Sequence, residues 1–226
     1  MIADPREPGR SWPIARLRAI AELAAIVCDA PWQVSRAHLE RWRGAGLGDD
    51  DILHVIALGS FFGHLNRIAD AVAVPLDYEV VHAPPAVDPS VPALAPAPRL
   101  VVGRPALMLA SRTATTATLA EWRTYMFERD APLTRRQRTL IARWVATWLG
   151  DGSISPPSDL TANPLDDALR ALAEVVTLAP WLLCDASFAP LREIGFSDAA
   201  LFDVCATAST AGVFSRITVA LTALGV

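Results

Sequence analysis

The stretch GSFFGHLNRIADAV, residues 59–72, recurs in altered form as ASTAGVFSRITVAL, residues 208–221. Serine, glycine, arginine and isoleucine occupy the same relative positions in both stretches. Sliding the sequence by 149 positions aligns residues 30–71 with residues 179–220 without a gap, and one pair in three is identical. This internal repeat predicts two tandem copies of one structural unit.

The composition favours packed helices over sheets. Hydrophobic residues make up 52% of the 226 residues and aromatic residues only 7%, and alanine is abundant. Alanine is the best helix former, whereas the β-branched and aromatic runs typical of strands are few. We therefore predict an all-α fold.

Helix start and stop signals divide each copy into three helices. The first helix is predicted over 14–29 and 164–178, and the second follows Pro31 or Pro180 and ends at Gly46 or Gly195, where a left-handed cap is expected. The third begins at Asp49 or Asp198. Two further helices, over 116–129 and 135–149, are predicted in the second half alone.

These signals predict a domain organisation in three parts. Residues 1–82 form an N-terminal helical unit, and residues 101–226 form a larger C-terminal unit. Residues 83–100 contain six prolines, which is typical of a stiff, extended linker.

Charge and cysteine usage exclude several classes of function. The net charge of −4 gives no general attraction to nucleic acid, and the basic cluster TRRQR, residues 134–138, is expected to be a solvated first helical turn. The chain has no lysine, which excludes Schiff-base chemistry. Cys28, Cys184 and Cys205 lie far apart, so we expect no disulfide framework, no metal site and no cofactor, and a reducing cytoplasm as the location.

The apolar stretch 204–226 is long enough to resemble a membrane span. Arg216 lies near its middle, where an arginine costs about 3 kcal/mol on insertion scales. We therefore expect no membrane helix.

A family resemblance follows from the order of several motifs. RGAGLGDDDILHVIA (43–57) followed by FFGHLNRIADAVAV (61–74) resembles the C-terminal part of peroxidase-related proteins in the carboxymuconolactone decarboxylase and alkylhydroperoxidase D superfamily. Phe62, Leu65, Asn66 and Arg67 match the family pattern, whereas Gly63 and His64 depart from it. The segments RPALMLASR (104–112), EWRTYMF (121–127) and PLTRRQRTLIARWVATWL (132–149) are similar to the helices that precede the family's redox site. The resemblance implies an all-α fold whose paired helical units pack into oligomers.

The resemblance also implies where a redox site would lie. Active members place a glutamate, two cysteines in CxxC spacing and a histidine so that one thiolate attacks peroxide and the second thiol resolves the product. The corresponding residues here are Thr139, Asp151, Ile154 and Ser158, and the sequence contains no CxxC. Two prolines directly after Ser155 are expected to end any helix there. We therefore expect a degenerate site without thiol peroxidase activity.

A possible pocket is predicted around His64, Asn66, Arg67 and Arg216. His64 is interpreted either as a base in a pocket or as a structural histidine, and His54 is too far along the helix to share a metal with it. Because Arg67 and Arg216 lie in apolar helices, we expect each to have a carboxylate or several carbonyls as partners. Asp198 and Asp49, or alternatively Glu22 and Glu174, are the carboxylates proposed. Cys28 and Cys184 are expected to be inert thiols whose pKa is raised by apolar surroundings.

Two functions remain open at this level. The first is a non-catalytic homo-oligomer that binds a small apolar ligand or a partner at the surface left by the redox site. The second is an enzyme of the same superfamily that uses non-thiol residues such as His64, Asn66 or Arg67.

Overall fold

The computed structural model describes residues 14–74, 92–102, 113–158 and 163–225. These residues form eight α-helices and no strand, apart from one isolated bridge between Val101 and Asp151. The all-α prediction is therefore confirmed. The helices are α1 (Ile14–Asp29), α2 (Arg36–Gly44), α3 (Asp49–Ala71), α4 (Thr113–Glu128), α5 (Arg135–Leu149), α6 (Pro164–Leu178), α7 (Asp185–Glu193) and α8 (Asp198–Leu224).

Capping residues account for the helix boundaries. Thr134 and Gln137 form a reciprocal capping box at the start of α5, and Asn163 caps α6 with Pro164 at its first position. Gly46 and Gly195 have φ values of 89° and 98°, the left-handed conformation expected for a glycine after a helix.

The second helix predicted in each copy is wrong at its start. Pro31–Gln33 and Pro180–Leu182 form single 3₁₀ turns, and the α-helix begins only after them, at Arg36 or Asp185. In the first half the reason is local, because the side chain of Ser35 accepts a hydrogen bond from the backbone of His38 and so starts α2 there.

The elements recur at the spacing seen in the sequence. The spacing of 149 residues separates the two 3₁₀ turns, and it separates α2 from α7 at both bounds. It also separates the end of α1 from the end of α6, and the start of α3 from the start of α8. An ion pair recurs too, since Arg43 pairs with Asp49 and Arg192 with Asp198. A close superposition of the two halves stays a prediction.

Helix α8 joins two hydrophobic cores. Its first half packs with α5 and α6 around Leu149, Leu172 and Val204. Its second half packs with α1, α2 and α3 around Trp42 and Ile217. Nearly every residue of α8 is consequently buried. The two halves of the chain therefore share this helix.

The proline-rich segment is described from residue 92 to residue 102 and lies across two helix ends. The backbone N–H groups of Leu94, Ala97 and Val101 donate to the carbonyls of Leu178, Trp148 and Gly150, at 2.8, 2.7 and 2.6 Å. Carbonyls in the last turn of a helix have no partner within that helix. The segment satisfies one such carbonyl in α5 and one in α6, together with the carbonyl of Gly150, which follows the end of α5.

One face of α3 is apolar and exposed. Its side chains recur at helical spacing, and they are Leu58, Phe61, Phe62 and Leu65. The positions 149 residues later on α8 are buried, and they are Thr207, Thr210, Ala211 and Phe214. The difference arises because α4 and α5 pack on α8 at this place.

Two helices, α3 and α8, are long and apolar enough to cross a membrane by length and composition alone. The apolar window of α8 is completely buried inside the protein, as is usual for the core helix of a globular fold.

Candidate functional site

A cleft of about 360 Å³ lies between the end of α4, the outer face of α5 and the middle of α8. Thr139 and Ile154, two of the four predicted site positions, both line it, and we call it the Thr139 cleft. Its apolar walls are formed by Phe127, Ala142, Ile154, Ala211 and Phe214. The cleft is open to solvent on one side.

Five polar residues complete the lining of the Thr139 cleft: Arg123, Thr124, Glu128, Arg135 and Thr139. Arg135 forms an ion pair with Glu128. The guanidinium carbon of Arg123 lies 5.7 Å from the ring centre of Phe214. Among the described residues, Arg123 has no carboxylate within ion-pair distance. The charged groups of the lining therefore sum to +1.

A second cleft of about 330 Å³ adjoins the first and shares Arg135 and Thr139 with it. Arg136 and Arg143 also line this second cleft. Arg136 forms a bidentate ion pair with Asp166, with N–O distances of 2.9 and 2.6 Å. This pair raises the pKa of the Arg136 guanidinium. Arg143 donates to the carbonyl of Ser155 at 3.0 Å. This face of a negatively charged chain is thus locally cationic.

A buried ion pair holds the helices that form the Thr139 cleft. Arg138 is fully buried, and its guanidinium donates to both carboxylate oxygens of Asp203 on α8. It also donates to the carbonyl of Met126 at 3.0 Å and to the hydroxyl of Thr207 at 3.1 Å. Arg129 donates to the same carboxylate. These contacts fix α4 and α5 against α8.

The other two predicted positions of the degenerate site do not line the cleft. Asp151 is buried and accepts hydrogen bonds from the backbone and hydroxyl of Ser153, at 3.0 and 2.6 Å. Ser158 is exposed. Residues 151–158 contain no helix, as the prolines predicted. The structure therefore brings Thr139 and Ile154 together in one cleft, and Asp151 and Ser158 do not line it.

Arg67 and Arg216 are both buried and make reciprocal contacts between the two halves of the chain. Arg67 on α3 donates to the carbonyl of Thr177, in the last turn of α6, at 3.1 Å. Arg216 on α8 donates to the carbonyl of Cys28, in the last turn of α1, at 3.0 Å. Thr177 lies 149 residues after Cys28, just as Arg216 lies 149 residues after Arg67. Each arginine thus caps the first helix of the other half.

The carboxylate partners predicted for these arginines are wrong. The alternative of several carbonyls is correct for Arg67, which donates to Gly63 and Thr177. Arg216, in contrast, donates to the carbonyl of Cys28 alone among the described residues. Asp49 and Asp198 are taken by Arg43 and Arg192, six residues away in the same half. Glu22 instead accepts from Arg41 and from the indole of Trp42, and these contacts lower its pKa.

The two buried guanidinium groups are electrostatically costly. Burial lowers the pKa of Arg216 well below its usual value, and the positive charge of Arg67 lowers it further. Burial likewise lowers the pKa of Arg67. Within the described part of the chain, Nε of Arg67 and Nη2 of Arg216 have no hydrogen-bond partner. These groups therefore serve the packing of the two halves at an energetic cost.

His64 lies between the two halves as well. Its Nδ1 is 2.8 Å from the hydroxyl of Ser209, which in turn donates to the carbonyl of Ala206 at 3.2 Å. Burial lowers the pKa of His64, with a further contribution from Arg67, so the neutral imidazole is favoured. Asn66 is exposed. His64, Asn66, Arg67 and Arg216 do not line the Thr139 cleft.

The three cysteines have different environments. Burial raises the pKa of Cys28, as predicted, and raises that of Cys205 to about 12. The prediction for Cys184 is wrong, because this side chain is exposed at the start of α7. A hydrogen bond from Ser187, 3.8 Å away, and nearby backbone N–H groups lower its pKa.

The expectation of a solvated TRRQR turn is wrong for one residue. Arg135 and Arg136 are more than half exposed, but Arg138 is fully buried. The sequence does signal a buried cation, because Asp203, an acid within the apolar run AALFDVCA of α8, requires a positively charged partner, but it does not identify that partner as Arg138.

Among the described residues, no group of three or more His, Cys, Asp or Glu side chains is arranged to hold a metal ion. Comparisons of this chain with protein-family models, with curated proteins and with solved structures give no match.

Proposed function

We propose that this protein is a non-catalytic helical protein that binds a small apolar ligand in the Thr139 cleft. The observation that carries the proposal is the cleft itself, which has apolar walls from α4, α5 and α8. Its volume of about 360 Å³ lies within the range of about 300–1,000 Å³ that is usual for ligand sites. The resemblance to the alkylhydroperoxidase D-like superfamily supports the same location, because it assigns Thr139 and Ile154 to the lost redox site.

The proposal includes self-association into homo-oligomers, since the family resemblance implies paired helical units that assemble. Sedimentation velocity of the full chain tests this part separately, and a monomer at all concentrations would contradict it.

The alternative function, an enzyme of the superfamily with non-thiol chemistry, is less well supported. It requires His64, Asn66 or Arg67 to face a substrate. His64 is instead bonded to Ser209, and Arg67 is buried against backbone carbonyls.

Filling the cleft tests the proposed function. Thr139→Trp places a large side chain in the cleft from an exposed helical position, and calorimetric titration with 1-octanol should show loss of the binding seen in the parent. Thr118→Trp is the matched control, because Thr118 is also an exposed helical threonine that donates to a carbonyl four residues earlier. Equal octanol binding by both variants, or none by the parent, would contradict the proposal.

A further inference from the structure

We infer that the ligand of the Thr139 cleft is an amphipathic carboxylic acid, held by Arg123 through its carboxylate. The inference rests on the proposed function and adds the chemical class of the ligand. The observation that carries it is the charge of the lining, where Arg135 is paired with Glu128 and Arg123 has no carboxylate partner among the described residues.

The charge balance of the cleft selects an anion with a single charge. Arg135 is neutralised by Glu128, and both residues line the cleft. Arg123 has no carboxylate partner among the described residues, and its recorded contact is with the ring of Phe214. One negative charge on the ligand would bring the sum of the lining to zero.

The neighbouring arginines do not offer an equivalent site. Arg136 forms a bidentate ion pair with Asp166, and Nε of Arg143 donates a hydrogen bond to the carbonyl of Ser155. Both residues line the second cleft and not the Thr139 cleft. Arg123 is therefore the group that combines an available guanidinium with an apolar wall.

Geometry favours a carboxylate with an apolar body. A guanidinium offers planar donors that match the two oxygens of a carboxylate. Stacking over Phe214 holds the guanidinium of Arg123 beside the apolar walls formed by Phe127, Ala142 and Ile154. An alkyl or aryl group attached to the carboxylate would cover these walls. The hydroxyl of Thr139 donates to the carbonyl of Arg135 at 2.8 Å and so adds no competing donor.

The test compares octanoate with 1-octanol, which has the same chain without the charge, by calorimetric titration of the full protein at low salt. We expect octanoate to bind about tenfold more tightly, which corresponds to about 1.4 kcal/mol, because its carboxylate can accept charge-assisted hydrogen bonds from Arg123. Arg123→Gln should abolish the preference, so that octanoate and octanol bind the variant equally, and its circular dichroism spectrum and thermal midpoint show whether it is folded. Arg36→Gln, on the remote helix α2, is the control for the loss of one positive charge away from the cleft.

The possible outcomes separate the two proposals. Equal affinity of the parent for octanoate and octanol, or an unchanged ratio in Arg123→Gln, overturns the carboxylate inference and leaves the proposed function standing. Failure of both compounds to bind overturns the proposed function and this inference with it. A preference for octanoate that weakens at high salt and disappears with Arg123 supports both.

Discussion

Replacing Asp203 by asparagine should destabilise the protein strongly, because Arg138 would lose its counter-charge in the interior. The side chain of Arg138 is fully buried and that of Asp203 is 3% exposed. The carboxylate of Asp203 accepts from Arg138, from Arg129 and from the backbone N–H of Leu133. Asparagine has nearly the same shape, so the change removes the charge without opening a cavity.

The expected magnitude follows from this burial. Breaking a buried pair by removing one partner costs about 3–5 kcal/mol. In a chain of this size, 1 kcal/mol lowers the midpoint of thermal unfolding by about 2–4 °C, so Asp203→Asn should lower it by about 6–20 °C. Urea unfolding followed by circular dichroism measures the free energy directly. Asp198→Asn is the matched control on the same helix, because its pair with Arg192 is exposed and should be worth about 1 kcal/mol or less.

A double-mutant cycle separates the ion pair from general damage. Arg138→Met and Asp203→Leu should together cost less than the sum of the two single changes, with a coupling energy of about 1–3 kcal/mol. The double variant should not recover fully, because Arg138 also binds the carbonyls of Met126 and Ala131. Additive single effects, or an Asp203→Asn variant that unfolds like the parent, would refute the reasoning.

Three further predictions concern the reciprocal arginines and the thiols. Arg67→Ala should destabilise by about 2–4 kcal/mol in urea unfolding, and Arg67→Lys should recover little because the planar fork is lost; a variant as stable as the parent would contradict this. Near neutral pH, a thiol reagent should label Cys184 first, because its pKa is lowered while that of Cys205 is raised to about 12; a fast phase that persists in Cys184→Ser would show the assignment to be wrong. With a dithiol reductant, the protein should consume alkyl hydroperoxide no faster than its isolated thiols do, and turnover abolished by replacing one cysteine would refute that expectation.

The sequence predicted the helices well because their signals are local. The capping box at Thr134 and the asparagine–proline pair at 163–164 each fixed a helix start correctly. The start of α2 was placed too early, at Pro31. A proline can begin either a 3₁₀ turn or an α-helix, and here it begins a 3₁₀ turn, so that the α-helix starts only after the cap at Ser35.

The candidate site was predicted only in part, since its residues come together through tertiary packing. Thr139 and Ile154 were identified by resemblance, but Arg123 and Phe214 reach the same cleft from α4 and α8. Arg138 was predicted to be solvated but is buried, because it pairs with Asp203, which lies 65 residues later in the sequence. Neither a period nor a motif along the chain carries such information.

The reciprocal contacts of Arg67 and Arg216 make the two halves mutually dependent. Each guanidinium has one acceptor on a helix that the other half supplies, at Thr177 or at Cys28. If the backbone were cut between Val74 and Pro92, each fragment would retain a cation that had lost this acceptor to the other piece. The two pieces are therefore expected to behave as complementing fragments, poorly folded when expressed singly and recovered as one species when expressed together. Because the two halves belong to a single chain, their effective concentration relative to each other is high. This high effective concentration offsets the cost of burying charged residues at the contact between them.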